Sequence, residues 1–219
     1  MSSTVPSSMR SKQSGVSTMA ADLAAVPFWR YIPPEAQMVT DWSGGQTREL
    51  YLAPAGTSYA GCDFTLRLSS ATVEVPESHF THLPDYNRLL MPLVGTVKLQ
   101  HDGGPVKTLP PLAVDAFSGG AATDSWGQCR DFNVMLRRGS GYRAAVKGYP
   151  TGREPLAIAL CGHDFLYAAQ GSYRWQAAGK QLLAEGGLLV LQRPGELQLL
   201  PQDETGLLVH VQLWREPVS

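Results

Sequence analysis

Charge of either sign is scarce in this chain. Only 17% of its 219 residues are Asp, Glu, Lys or Arg, and 18 basic residues stand against 19 acidic ones, for a formal net charge of −1. There is no basic excess to follow a phosphate backbone, which argues against nucleic acid as a partner. Cysteine is scarcer still. Cys62, Cys129 and Cys161 are odd in number and far apart, so neither a disulfide framework nor a zinc pattern follows. Three free thiols in a reducing cytoplasm are expected. Long hydrophobic runs are missing too. Nothing approaches the ~18 apolar residues of a membrane span, so no membrane association is expected. The first 18 residues are rich in Ser and Thr and lack the apolar stretch of a signal peptide. Residues 1–25 read as a disordered tail, with Met19 as an alternative start. The folded chain would begin near Val26-Pro27-Phe28-Trp29.

Helical periodicity is equally thin. Glycine (22) and proline (16) together exceed the usual ~12% of a chain, which implies many turns and few long helices. Only residues 77–90 suggest a short helix, and Pro84 interrupts it.

What the chain does have is 43% apolar residues, enough for one sizeable core or two small ones, arranged in short alternation. Phe64, Leu66 and Leu68 alternate with Thr65, Arg67 and Ser69, and a slip at Ser69-Ser70 precedes Ala71, Val73 and Val75. A period of two means strands with unlike faces, and the slip suggests a bulge. Similar alternation recurs over residues 93–100, 132–136, 165–175, 188–192, 196–200 and 207–214. The run 156–161 is apolar throughout, as in a strand covered on both faces. About a dozen strands at this spacing indicate an all-β sandwich or barrel. Leu90, Gly95, Val97 and Leu99 are matched 76 residues later by Leu166, Gly171, Tyr173 and Trp175. That offset implies two β-units in tandem, joined near residues 145–153.

Motifs for chemistry are few. His79 and His82 would share a helix face, but no third ligand follows, and the other histidines stand alone; no metal is expected. No Gly-x-Ser-x-Gly elbow is present, and the glycines at 44–45 lack the Lys-Ser/Thr of a phosphate loop. The informative polar groups lie on strands. Arg67 and Ser69 share one face, as do Asp131, Asn133, Met135 and Arg137, and Thr47 and Glu49 would share another. On an open sandwich such faces are merely solvated. In a closed barrel they must pair with each other, as Arg67 with Glu49, or hold a ligand, and an arginine with hydroxyl and amide neighbours suits a carboxylate.

Several segments, taken in order, resemble the HutD/Ves family. The most specific is Arg130-Asp131-Phe132-Asn133-Val134-Met135-Leu136-Arg137-Arg138-Gly139. It is preceded by Gly44-Gly45-Gln46-Thr47-Arg48-Glu49, by Phe64 through Val73, and by Phe80 through Arg88 ahead of Leu93-Val94-Gly95. The likeness runs over about residues 28–139. It implies a bicupin, two jelly-roll barrels in one chain, here divided as 26–145 and 146–219. It also implies a bacterial cytoplasmic protein. HutD-type members accompany histidine and urocanate utilisation and are thought to bind a pathway metabolite; Ves-type members are linked to environmental stress. No firm reaction or cofactor is attached to the family. The pocket positions it implies are Thr47, Glu49, Arg67, Ser69, Arg88, Asn133 and Met135. Asn87 stands where the family has Asp, and Phe117-Ser118-Gly119-Gly120 lacks two further family acids, which makes the site less acidic.

The preferred expectation is a non-enzymatic protein that binds a small acidic metabolite. Arg67 would pair with the carboxylate, Thr47, Ser69 and Asn133 would supply hydrogen bonds, and Arg88 would guard the mouth. The second is a metal-independent hydrolase or isomerase with Glu49 as general base. An ion pair with Arg67 would tie that carboxylate up. The third is an interaction module whose lumens are filled by side chains and whose edges or apolar patches pair two copies into a homodimer.

Overall fold

The computed structural model describes residues 28–177 and 179–216. The tail expected over residues 1–25 and the alternative start at Met19 lie outside them. Among the described residues the only helical element is a single 3-10 turn, Pro34–Ala36. In chain order the first ten strands are β1 (Trp29–Ile32), β2 (Met38–Trp42), β3 (Gly45–Ala53), β4 (Leu66–Val73), β5 (Glu77–His79), β6 (Tyr86–Val94), β7 (Val97–His101), β8 (Lys107–Leu109), β9 (Asp115–Ser118) and β10 (Thr123–Trp126). There follow β11 (Cys129–Arg137), β12 (Tyr142–Thr151), β13 (Leu156–Cys161), β14 (Asp164–Gln170), β15 (Tyr173–Ala177), β16 (Gly179–Leu183), β17 (Leu188–Leu191), β18 (Pro194–Pro201) and β19 (Gly206–Arg215). The all-β expectation holds. The strands outnumber the dozen expected because three- and four-residue strands such as β5, β8 and β9 are too short for alternation to register.

These strands form four antiparallel sheets. Their orders are β2-β3-β4-β11-β6-β9, β5-β10-β7-β8, β1-β17-β14-β19-β12 and β13-β18-β15-β16. The order β4-β11-β6-β9 is repeated by β12-β19-β14-β17, and β5-β10-β7-β8 by β13-β18-β15-β16. Gly95 and Gly171, the 76-residue pair, both turn the chain with positive φ (82° and 72°), a conformation that glycine reaches without a Cβ clash.

Burial follows the alternation. Leu66, Leu68, Phe132, Val134 and Leu136 leave the six-stranded sheet on one side and meet Phe165, Val190, Val209, Val211 and Leu213 of the five-stranded sheet. This central core belongs to both halves. A second core, with Leu166, Tyr173, Trp175, Leu189, Leu199 and Leu208, lies between the five-stranded sheet and β13-β18-β15-β16. A third, with Val73, Leu90, Val97, Leu99 and Leu109, joins the six-stranded sheet to β5-β10-β7-β8. Four sheets therefore stack as layers, with the large pair inside.

Several expectations need correction. Residues 77–90 hold no helix; β5 and the start of β6 occupy that stretch, and Pro84 lies in the turn between them. β13 is not covered on both faces. Ala157 and Ala159 are exposed while Ile158 is buried, because β13 edges an outer sheet and its outward residues are merely small. The slip at Ser69-Ser70 is not a slip of the strand. Arg67, Ser69, Ala71 and Val73 stay on one face, which changes from polar to apolar along its length. The irregularity sits on the partner strand, between Glu49 and Tyr51. The division at 145/146 falls within β12, all ten residues of which pair with β19. β1, expected in the first unit, is the edge strand of the second unit's sheet and pairs Trp29 with Leu191.

Because one core is shared by both halves, the chain should unfold as a unit. Phe132 is fully buried in that core. Phe132→Ala is expected to lower stability by about 3–5 kcal/mol while urea unfolding keeps a single transition. Tryptophan fluorescence and far-UV circular dichroism should give coincident curves.

Candidate functional site

Register brings the polar faces together. Across β4 and β11, Arg67 lies opposite Met135, Ser69 opposite Asn133, and Ala71 opposite Asp131. β6 sets Arg88 beside Met135, and β3 sets Glu49 beside Ser69 and Thr47 beside Ala71. The bulge after Glu49 matters here. It aligns Tyr51 with Leu68, on the core side, so that Thr47 and Glu49 face the polar side without dragging the ring after them.

This face lines a cavity of about 500 Å³ between the six-stranded sheet and β5. All seven sequence-derived positions, Thr47, Glu49, Arg67, Ser69, Arg88, Asn133 and Met135, line it. Arg67 Nε donates to Glu49 Oε2 at 2.8 Å, and Arg67 Nη1 donates to Ser69 Oγ at 3.0 Å. Its guanidinium lies 4.3 Å from the centre of the Tyr59 ring. The expected Arg67–Glu49 pair is thus present, and both side chains are nearly buried.

Arg88 departs from expectation. It does not guard the mouth; it is 5% exposed. Its guanidinium lies against two neighbouring rings, 4.6 Å from Phe80 and 5.4 Å from Phe117. Its Nε has no hydrogen-bond partner among the described residues. Burial draws its pKa down to about 10, against the pull of Tyr59 and Asp131, so it is a cation at neutral pH. Phe117 is braced from behind. It stacks on His101 at 4.4 Å; His101 Nε2 meets Asp115 Oδ2 at 2.7 Å, and Lys107 donates to Asp115 Oδ1 at 2.6 Å.

Asp131 was read in the sequence only as a face-mate of Asn133, and it lines the same cavity. Burial drives its pKa up to about 7, although Arg88 and the Ala71 N–H pull the other way. Asn133 Oδ1 is buried with no donor among the described residues. The fourth face-mate, Arg137, is spent elsewhere: its Nε donates to the Phe64 carbonyl at 2.9 Å and pins the end of the loop that carries Tyr59. Tyr59, Trp42, Met38 and Phe80 form the apolar part of the lining. Those in loops or on the edge strand gave no periodic signal. Of the candidate histidines, His79 lines the mouth and pairs with Asp124, while His82 is exposed and lies outside the lining.

In the second half, Tyr173, Trp175, Leu183 and Leu199 are buried together in a hydrophobic core, and Asp164 and His210 pair at 2.8 Å.

The HutD family profile matches residues 35–209. The chain belongs to the HutD family. No match was found among curated proteins. Solved structures carry the likeness further. A conserved protein of unknown function from Pseudomonas aeruginosa PAO1 is 23% identical, with a TM-score of 0.71 over 84% of this chain and 98% of its own. HutD from Pseudomonas fluorescens SBW25, described in a formate condition, is 21% identical, with a TM-score of 0.62 over 85% and 99%. A nickel(II) complex of a bacterial pirin from Escherichia coli is 10% identical, with a TM-score of 0.59 over 87% and 100%. At these identities the likeness speaks for a cupin-like fold. A metal such as that pirin's does not fit this HutD-family cavity. Glu49 is bonded to Arg67, two guanidinium groups share the space, and among the described residues no three His, Cys, Asp or Glu side chains come together. No helix among the described residues is long and apolar enough to cross a membrane.

Asp131 makes stability depend on pH. Its folded pKa lies above the ~3.9 of an unfolded aspartate. Between about pH 4 and 7 the folded state holds a proton that the unfolded state has released. That contribution falls by ~1.4 kcal/mol per unit as pH rises and is fully lost above about 7. Asp131→Asn should remove this slope. Urea denaturation across that range should show the variant gaining on the wild type up to about pH 7 and then holding level.

Proposed function

We propose that this HutD-family chain is a non-enzymatic binding protein for a small carboxylate metabolite, and that the occupied site is the cavity of the N-terminal half. The observation that carries the reading is Arg88, a buried cation whose Nε lacks a partner, in the same cavity as Arg67. A buried charge with unmet hydrogen-bonding capacity is costly, and an entering anion would offset that cost. The unpaired Asn133 Oδ1 supports a ligand that also carries an N–H or O–H donor. The aromatic and methionine lining supports a short apolar or planar body between these groups.

Catalysis by Glu49 is the weaker reading, since its carboxylate is already bonded to Arg67. The repeated strand order supports a bicupin, two tandem barrels of which the first carries the polar cavity described above. Family membership supports a regulatory role of the histidine- and urocanate-utilisation type in the cytoplasm.

The test is a thermal-shift series with formate, acetate, propionate, succinate, glutarate and benzoate. A ligand at 100 times its dissociation constant adds ~2.7 kcal/mol of stability. Arg67→Ala should abolish the shift, because it removes one cation and strands Glu49. Arg88→Met should lose at least about tenfold in affinity, by calorimetry, while its unliganded stability equals or exceeds that of the wild type. A wild type that responds to no carboxylate would overturn the reading.

A further inference from the structure

Asp131 is a carboxyl group with no cation bonded to it, set in a cavity that already holds two cations. No ion pair joins it to Arg88 or Arg67, although both guanidinium groups line the same space. It lies two residues from Asn133 and so shares its face, at the end of the row where Thr47 and Ala71 are its neighbours. The residue is 6% exposed, with the Ala71 N–H donating to its carboxyl. The polar atoms beside it that remain unmet are Arg88 Nε, a donor, and Asn133 Oδ1, an acceptor.

We propose that Asp131, in its protonated form, is a ligand-contacting group of this cavity, whose hydroxyl donates to a carboxylate held by the arginines, so that the anion enters together with a proton. This rests on the reading of the cavity as a carboxylate site and adds the chemistry of its third contact. Two carboxyl groups brought together in a buried space cannot both remain ionised; one proton shared between them turns repulsion into a short hydrogen bond. Asp131 is already poised for this, since burial has lifted its pKa to about 7 before any ligand arrives.

The charged and titratable surroundings of Asp131 come from every neighbouring element. Arg67 projects from β4, Arg88 from β6, Glu49 from β3 and Tyr59 from the loop before β4. Cys129, on its own strand, is a buried thiol whose pKa is pushed up to about 12. His79 of β5, paired with Asp124, lines the mouth. The His101–Asp115–Lys107 cluster lies behind Phe117. His79 is an ionisable neighbour of the same cavity and is separated from Asp131 by substitution.

The experiment is calorimetric titration of the whole protein with propionate, a monoacid ionised throughout about pH 5.5–8.5. Buffers of different ionisation enthalpy at constant ionic strength report protons taken up. Uptake should be near zero at the acid end, where Asp131 already holds its proton, and should approach one per propionate near pH 8. Affinity should be level at the acid end and fall about tenfold per unit well above pH 7. Asp131→Asn, which keeps a donor, should bind at the alkaline end at least about tenfold more tightly than the wild type, with no pH slope. His79→Gln should keep the wild-type slope. Propionate binding without proton uptake at pH 8, or a slope that vanishes in His79→Gln and survives in Asp131→Asn, would overturn the inference and leave the carboxylate reading standing. Failure of the wild type to bind propionate or any acid of the series at any pH would overturn both.

Discussion

Arg67 and Arg88 are held out of water, and the layout of the N-terminal half follows from how they are accommodated. A guanidinium moved from water into a protein interior loses several kcal/mol of solvation unless hydrogen bonds or an opposing charge replace it. Arg67 has both, from Glu49 and Ser69. Arg88 has neither at its Nε and rests against two neighbouring phenyl rings, which offer the weaker attraction of their π faces. One arginine is thus a settled part of the wall, and the other keeps unspent hydrogen-bonding capacity. Both stand on strands whose reverse faces enter the central core. Strand pairing fixes their positions to within the tolerance of a hydrogen-bond ladder.

The same strands explain how far the sequence could be read. Period-two alternation on β4 and β11 exposed the split between Leu66, Leu68, Phe132 and Val134 on one side and Arg67, Ser69, Asn133 and Met135 on the other. Bringing these faces to one cavity needs pairing across the sheet, and register is not written in either strand alone. Resemblance to the HutD/Ves family pointed to the seven positions together. What escaped notice lay where alternation has no purchase. Tyr59 sits in a loop, and Met38 and Trp42 on an edge strand that is exposed throughout. The depth of Arg88 escaped as well, since its burial against Phe80 and Phe117 depends on how the sheets pack. The polar-to-apolar change along the cavity face of β4 imitated a slip in phase, because a change of lining and a change of direction give the same string of letters.

The repeated strand order supplies an internal comparison. Two sets of eight strands share one order, yet their interiors differ. Where the first set has Val97 and Leu99 in its outer core, the second has the larger Tyr173 and Trp175 buried among leucines. The fold therefore tolerates either interior. What keeps the first one open is a lining whose charged groups cannot collapse on one another without losing their hydrogen bonds. The first half leans on the second through the shared central core.

The first strand bears on how this chain is made. Trp29–Ile32 pairs with Leu188–Leu191, so this segment must wait for a partner some 160 residues later in the chain. During synthesis the leading segment leaves the ribosome with no partner, and the sheet it edges cannot close until some 160 further residues have followed. A nascent chain stalled before β17 would carry Tyr31 and Ile32 uncovered, a natural handle for chaperones.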